Sequence, residues 1–147
     1  MPRASLFLDS SALFAGIIST TGAARVLLLL TEAEQISLFI SEQVVAETER
    51  AMARKAPTAL QDLRRAILAS KAQILRDPAP EAVLANLDLI SHAADVPILI
   101  AAMQARVDFL VTLNRTHFLD DPQVSQRSGL RIGTPGDALT RLRQQLT

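Results

Sequence analysis

The sequence predicts an α/β fold in three layers, α/β/α, with a central, mostly parallel sheet of about four or five strands. Three features lead there. Short apolar runs occur without polar alternation, longer helical stretches separate them, and 147 residues at 49% hydrophobic and 20% charged suit one sizeable core. A chain of this size buries about 68–70% of its extended surface, so residues 1–147 are expected to form a single domain.

Residues 5–8 (SLFL), 37–40 (SLFI) and 109–113 (FLVTL) are runs of Phe, Leu, Ile and Val. Strands covered by helices on both faces read this way. Residues 73–75 (QIL) and 130–132 (LRI) are weaker strand candidates. Helices are expected over 10–17, 22–31, 42–55, 58–70, 80–91, 96–106 and 136–146. Ser41 stands as an N-cap, and Pro97 falls in a first turn, where its missing N–H costs nothing. Pro57, Pro78, Pro80 and Pro135 punctuate helix starts and connections. No repeat, low-complexity tract or linker divides the chain.

Fifteen Lys+Arg balance fifteen Asp+Glu, so any phosphate-binding surface must be a local patch. The absence of cysteine removes disulfides, thiolate metal sites and a Cys nucleophile together. At the start, Arg3 is the one basic residue and Asp9 interrupts the apolar stretch, which does not suit an export signal. The charge-free run 10–24 is shorter than the ~20 apolar residues a membrane span needs. A cytoplasmic protein with no membrane association is expected.

In an open parallel sheet, ligands collect outside the carboxyl ends of the strands, near the point where strand order reverses. SLFL runs into Asp9, and FLVTL runs into Asn114. Asp95 stands directly ahead of the helix at 96. In SEQVVAETERAMARK, residues 44, 47 and 51 share a face, so Glu47 is expected to point inward between Val44 and Ala51. An inward carboxylate is costly unless a cation or hydrogen-bond donors meet it. No Lys or Arg lies on that face within the next turn, so a divalent metal is a reasonable counter-charge. Clustered carboxylates suit Mg²⁺ or Mn²⁺, which take oxygen ligands and keep waters. Such ions activate water and offset charge on a phosphoryl group. Each acid also has a plainer reading: Asp9 and Asp95 as helix caps, Glu47 as a surface acid.

The opening LFLDSSALFAG resembles the first strand and turn of PIN-domain nucleases, and SEQVVAETER resembles the strand and helix that carry their conserved Glu. HAADVPILIAAMQARVDFLVTLNRTHF (92–118) is similar to the family's acidic helix start, Ala-rich helix and following strand. IGTPGDAL (132–139) resembles its last strand and closing helix. The resemblance implies a metal-dependent ribonuclease of the VapC-like toxin sort, encoded beside a protein antitoxin and often a homodimer, with RNA as substrate. Asp9, Glu47, Asp95 and Asn114 then fall on the metal-site positions. Thr112-Leu113-Asn114 with His117-Phe118 resembles a Thr-x-Asn branch of the family. An amide in place of an acid removes one negative charge, which makes a catalytically weak or inactive module that binds RNA or a protein partner the alternative. Ser10, Ser11 and Thr112 are candidate hydroxyls that orient the ligands, or else a helix cap and an ordinary strand residue. His92 and His117 read as solvent-facing or capping residues, and Asp120, Asp121 and Asp108 as turn residues.

Arg50, Arg54, Lys55, Arg64 and Arg65 flank one interhelix loop and form a candidate rim that tracks RNA phosphates, or a solvated helix surface. With no Trp or Tyr, base-stacking platforms are not expected. The row Leu27–Leu30 implies either burial on two sides or an apolar face for a second copy or an antitoxin helix. A phosphoacceptor or phosphatase with Asp9 as nucleophile fits poorly, because Asp9 is followed by Ser10 and Ser11 where an Asp-x-Asp pattern would be needed.

Overall fold

The computed structural model describes residues 3–146. Its strands are β1 (Ser5–Leu8), β2 (Ser37–Ser41), β3 (Gln73–Leu75), β4 (Phe109–Val111) and β5 (Ile132–Gly133). All pair in parallel, in the order β3-β2-β1-β4-β5. Helices α1 (Ser10–Ile18), α2 (Ala23–Glu32), α3 (Glu42–Lys55), α4 (Leu60–Ala69), α5 (Pro80–Leu84), α6 (Val96–Ala105), α7 (Gln123–Ser128) and α8 (Pro135–Leu146) connect and flank them. This is the three-layer α/β/α arrangement expected.

Strand burial explains which runs were easy to read. Every residue of β4, and Leu6, Phe7 and Leu8 of β1, is buried, because these strands lie inside the sheet with helices on either side. Edge strand β3 leaves Gln73 and Ile74 exposed, so it lacks a continuous apolar run. At the other edge β5 is only Ile132–Gly133, a shift from the expected 130–132. The helix expected over 80–91 stops at Leu84. Beyond its end, adjacent Leu89 and Ile90 are both buried.

Caps set the helix starts. Ser41 ends β2 and immediately caps α3, its Oγ accepting from Val44 N at 3.2 Å. Thr134 and Asp137 cap α8 reciprocally: Thr134 N–H donates to Asp137 Oδ2 at 2.9 Å and Asp137 N–H to Thr134 Oγ1 at 3.1 Å. Asp108 ties β4 to β1 by accepting from Ser5 N at 2.7 Å. Asp121 is a turn residue as expected, accepting from Gln123 N at 3.0 Å.

α1 and α2 meet at 88°, and no single helix among the described residues is long and apolar enough to cross a membrane. Their contact needs Gly16, where an added Cβ would lie 2.7 Å from Leu28 Cδ1 and 3.2 Å from Ala24 O. The Leu27–Leu30 row divides: Leu27 and Leu28 are in the core, Leu30 is half-buried, and Leu29 is exposed beside Val26.

Candidate metal centre

The sheet order puts its reversal between β1 and β4, since the chain builds β1, β2 and β3 outward and then returns to β1's other side. Pairing of Leu8 with Val111 is followed by a bond from Asp9 N to Val111 O at 3.1 Å. Asp9 and Thr112 therefore leave the sheet side by side at its carboxyl edge, where open α/β sheets bind ligands.

Asp9 is 4% exposed and caps α1. Its Oδ1 accepts from Ala12 N at 2.9 Å and Ser11 Oγ at 2.7 Å, and its Oδ2 accepts from the Thr112 hydroxyl. The same Ser11 and Thr112 oxygens accept from Leu113 N and Asn114 N, each at 3.0 Å. Two hydroxyls thus fix both the carboxylate and the segment leaving β4. Ser10 makes no such bond; it is half-buried at the start of α1. Burial pushes the Asp9 carboxyl above its ordinary range, against the lowering effect of these three donors, and nearby Asp95 adds to the rise.

Asp95 closes a 3₁₀ turn (Ala93–Asp95) that leads into α6, and Gln43 Nε2 holds this turn by donating to Ala94 O at 2.8 Å. It is 8% exposed. The capping role considered for it is not what its side chain does: α6 has no side-chain cap bond. Buried Oδ2 has no hydrogen-bond partner. His117 Nδ1 lies 2.8 Å from that oxygen, an ion pair whenever the ring is protonated. Burial raises the Asp95 carboxyl, with His117 and then His92 opposing the rise.

Glu47 sits differently from the expectation. The buried stripe of α3 is Val44, Thr48 and Met52, spaced by four, so Glu47 rides half-buried on its flank together with Ala51. It makes no hydrogen bond or ion pair among the described residues. The like charge that raises Asp9 is Asp95, with no contribution from Glu47. Asn114 uses its amide locally: Oδ1 accepts from His117 N at 3.0 Å, capping a π-helical turn over Arg115–Leu119, and Nδ2 approaches His117 Nδ1 at 3.0 Å.

His117 is therefore not a solvent-facing residue, and His92, exposed, stacks on its ring at 3.9 Å between centroids. Sequence reasoning gave neither a place in the site. The available signal was spacing: His92 stands three before Asp95 and His117 three after Asn114, each across one turn. Arg50, Arg54, Lys55, Arg64 and Arg65 are all exposed on α3 and α4. The Arg65–Asp62 pair, at 3.9 Å on the surface, leaves that guanidinium largely solvated.

A divalent cation fits these residues. Both carboxylates are buried, Asp95 adds to the cost of ionising Asp9, and the buried Asp95 Oδ2 has only the His117 ring as a partner. The PIN domain family profile matches residues 5–116. The chain belongs to the PIN domain family. In fold it is similar to PAE2754 from Pyrobaculum aerophilum, with a TM-score of 0.66 at 19% identity over 96% of each chain. It is also similar to VapBC2 from Rickettsia felis, solved bound to a DNA fragment from their promoter, with a TM-score of 0.60 at 20% identity over 88% of this chain and 98% of that one. No curated protein matches the chain significantly in sequence.

Proposed function

We propose that this PIN domain is a metal-dependent endoribonuclease, the toxin of a toxin–antitoxin pair acting in the cytoplasm, with Mg²⁺ or Mn²⁺ as its ion. The observation that carries this is the placing of two buried carboxylates, Asp9 and Asp95, near one another at the sheet's reversal point. Asp9 and Asp95 hold the ion, Glu47 approaches from the flank of α3, and Asn114 assists. Ser11 and Thr112 fix the Asp9 carboxylate, so its oxygens do not reorganise when a substrate arrives. When bound, a divalent ion supplies a more acidic water and positive charge against the phosphoryl oxygens. The exposed Arg50, Arg54, Lys55, Arg64 and Arg65 are the residues proposed to neutralise RNA phosphates.

A protein antitoxin and a second copy of the chain are the proposed partners. Exposed Ile18, Val26 and Leu29 on α1 and α2 offer apolar area. Near it, a cleft of about 460 Å³ is lined by charges of both signs, Arg25 and Arg65 with Glu32 and Asp62. The likeness to VapBC2 favours an antitoxin as the partner.

A second reading has its own support: the Asn114 amide, which stands in the Thr-x-Asn branch pattern, is occupied in capping and holding His117. That suits a non-catalytic module that binds RNA or a protein. RNA cleavage by the purified chain with Mg²⁺, Mn²⁺ or chelator separates the two. Cleavage that needs the ion and disappears in Asp9→Asn supports the nuclease; RNA binding without turnover under every ion supports the alternative.

A further inference from the structure

His92 and His117 are stacked, with ring centroids 3.9 Å apart and 18° between their planes. The inner ring is held in place: Asn114 Oδ1 accepts the His117 backbone N–H at 3.0 Å, and Asp95 Oδ2 lies 2.8 Å from His117 Nδ1. The outer ring has no such ties. His92 opens the turn that carries Asp95, yet its side chain caps nothing, and its ring makes no hydrogen bond among the described residues. One face of that ring rests on His117 and the residue is exposed, so the other face meets water; neighbouring Ser91, Ala93 and Ala94 are small and exposed as well. Among the described residues His92 carries the one exposed aromatic ring, since Phe7, Phe109 and Phe118 are buried and Phe14, Phe39 and His117 half-buried.

We propose that the open face of His92 is a platform on which one unpaired base of a single-stranded RNA stacks, adjoining the phosphate received at Asp9 and Asp95. The inference rests on the reading of that pocket as an RNA site and deepens it by naming the form of RNA it takes. Histidine is among the side chains on which splayed-out bases stack, whereas inside a duplex both faces of a base are already covered by its neighbours. Because the His92 ring lies on a fixed partner, its orientation is set before a base arrives, and less ordering is needed on binding. Every base has a π-face, so such a platform accepts any base without reading its edge.

The test uses 2-aminopurine placed at successive positions of a short single-stranded RNA, with chelator present so that nothing is cleaved. The chain has neither Trp nor Tyr, so the emission of this base is observed without protein background. Wild type is expected to alter the emission at one position. His92→Ala is expected to remove that change and weaken binding by about 5-fold or more, the usual consequence of truncating a stacking ring. His92→Phe, which keeps a flat ring and has no ring nitrogen, is expected to restore both, separating stacking from charge or hydrogen bonding by the imidazole. An RNA abasic at the responding position should bind wild type and His92→Ala equally. His92 is exposed, so both variants keep the fold. No responding position, His92→Ala binding as tightly as wild type, or His92→Phe as weak as His92→Ala overturns the platform. If wild type cleaves RNA with Mg²⁺ or Mn²⁺ while His92→Ala binds it unchanged, this inference fails and the nuclease stands. If the ring at 92 governs RNA binding and no ion supports cleavage, the platform stands and the nuclease fails. RNA neither bound nor cleaved overturns both.

Discussion

Thr112→Val removes one hydroxyl from a fully buried position and keeps the side chain's branched shape. That hydroxyl donates to Asp9 Oδ2 and accepts from Asn114 N at 3.0 Å. Loss of a hydrogen bond to a charged group costs about 1.5–3 kcal/mol, and stranding a half-buried amide adds about 1 kcal/mol. A destabilisation of about 2.5–4 kcal/mol follows, or roughly 2–4 °C in Tm for each kcal/mol at this chain length. Far-ultraviolet circular dichroism measures it, since the chain has neither Trp nor Tyr to serve as a fluorescent probe. Thr112→Ser, which keeps the hydroxyl and loses one carbon, should cost about 1 kcal/mol. Valine and serine variants of equal stability, or a valine variant within about 0.5 kcal/mol of wild type, would refute the role given to this hydroxyl.

The Asp9 and Asp95 carboxyls both lie above their ordinary range because they are buried. A folded-state pKa above the unfolded one contributes stability that is complete below the unfolded carboxylate range and is lost as pH rises through the raised value. The metal-free chain should therefore gain Tm relative to Asp9→Asn as the solution is acidified from neutral; a relative loss contradicts this. Gly16→Ala should lower stability by about 0.5–2 kcal/mol net, because crowding of the new methyl against Leu28 Cδ1 and Ala24 O outweighs about 1 kcal/mol of better helix propensity. Denaturant midpoints check it, and an unchanged midpoint means that α1 and α2 do not need the close approach. Reversing Arg50 and Arg54 to Glu should weaken RNA binding and lower the slope of log affinity against log salt by about 0.7 for each single-strand phosphate no longer neutralised. An unchanged slope removes α3 from the RNA path.

Much of the architecture was legible because sequence pattern and burial coincide in the middle of the sheet. Phe7, Leu110 and their neighbours are covered on both faces, so their runs carry no polar alternation. At the edges that signal fades, and β3 and the short β5 were correspondingly weak. Asp9 was legible from its place at the end of an apolar strand, and Ser11 and Thr112 from the family's pattern. Glu47 was placed one step off: the choice between faces 44/47/51 and 44/48/52 turns on Thr48, a polar residue whose hydroxyl bonds back to Val44 O at 2.7 Å and so sits buried at no great cost. His92 is exposed as expected, but the contact of His117 with Asp95 was not legible because the two are distant in sequence. His117 meets Asp95 only when the return to β4 brings the 115–119 turn beside the start of α6.

Anomalous diffraction from a crystal soaked in Mn²⁺ tests most directly whether Asp9 and Asp95 share a cation. A peak within coordination distance of Asp95 Oδ2, next to the Asp9 carboxylate and absent from Asp95→Asn, is the result predicted. A fully soaked crystal with no peak in this pocket, from protein that still cleaves RNA with Mn²⁺, would contradict it.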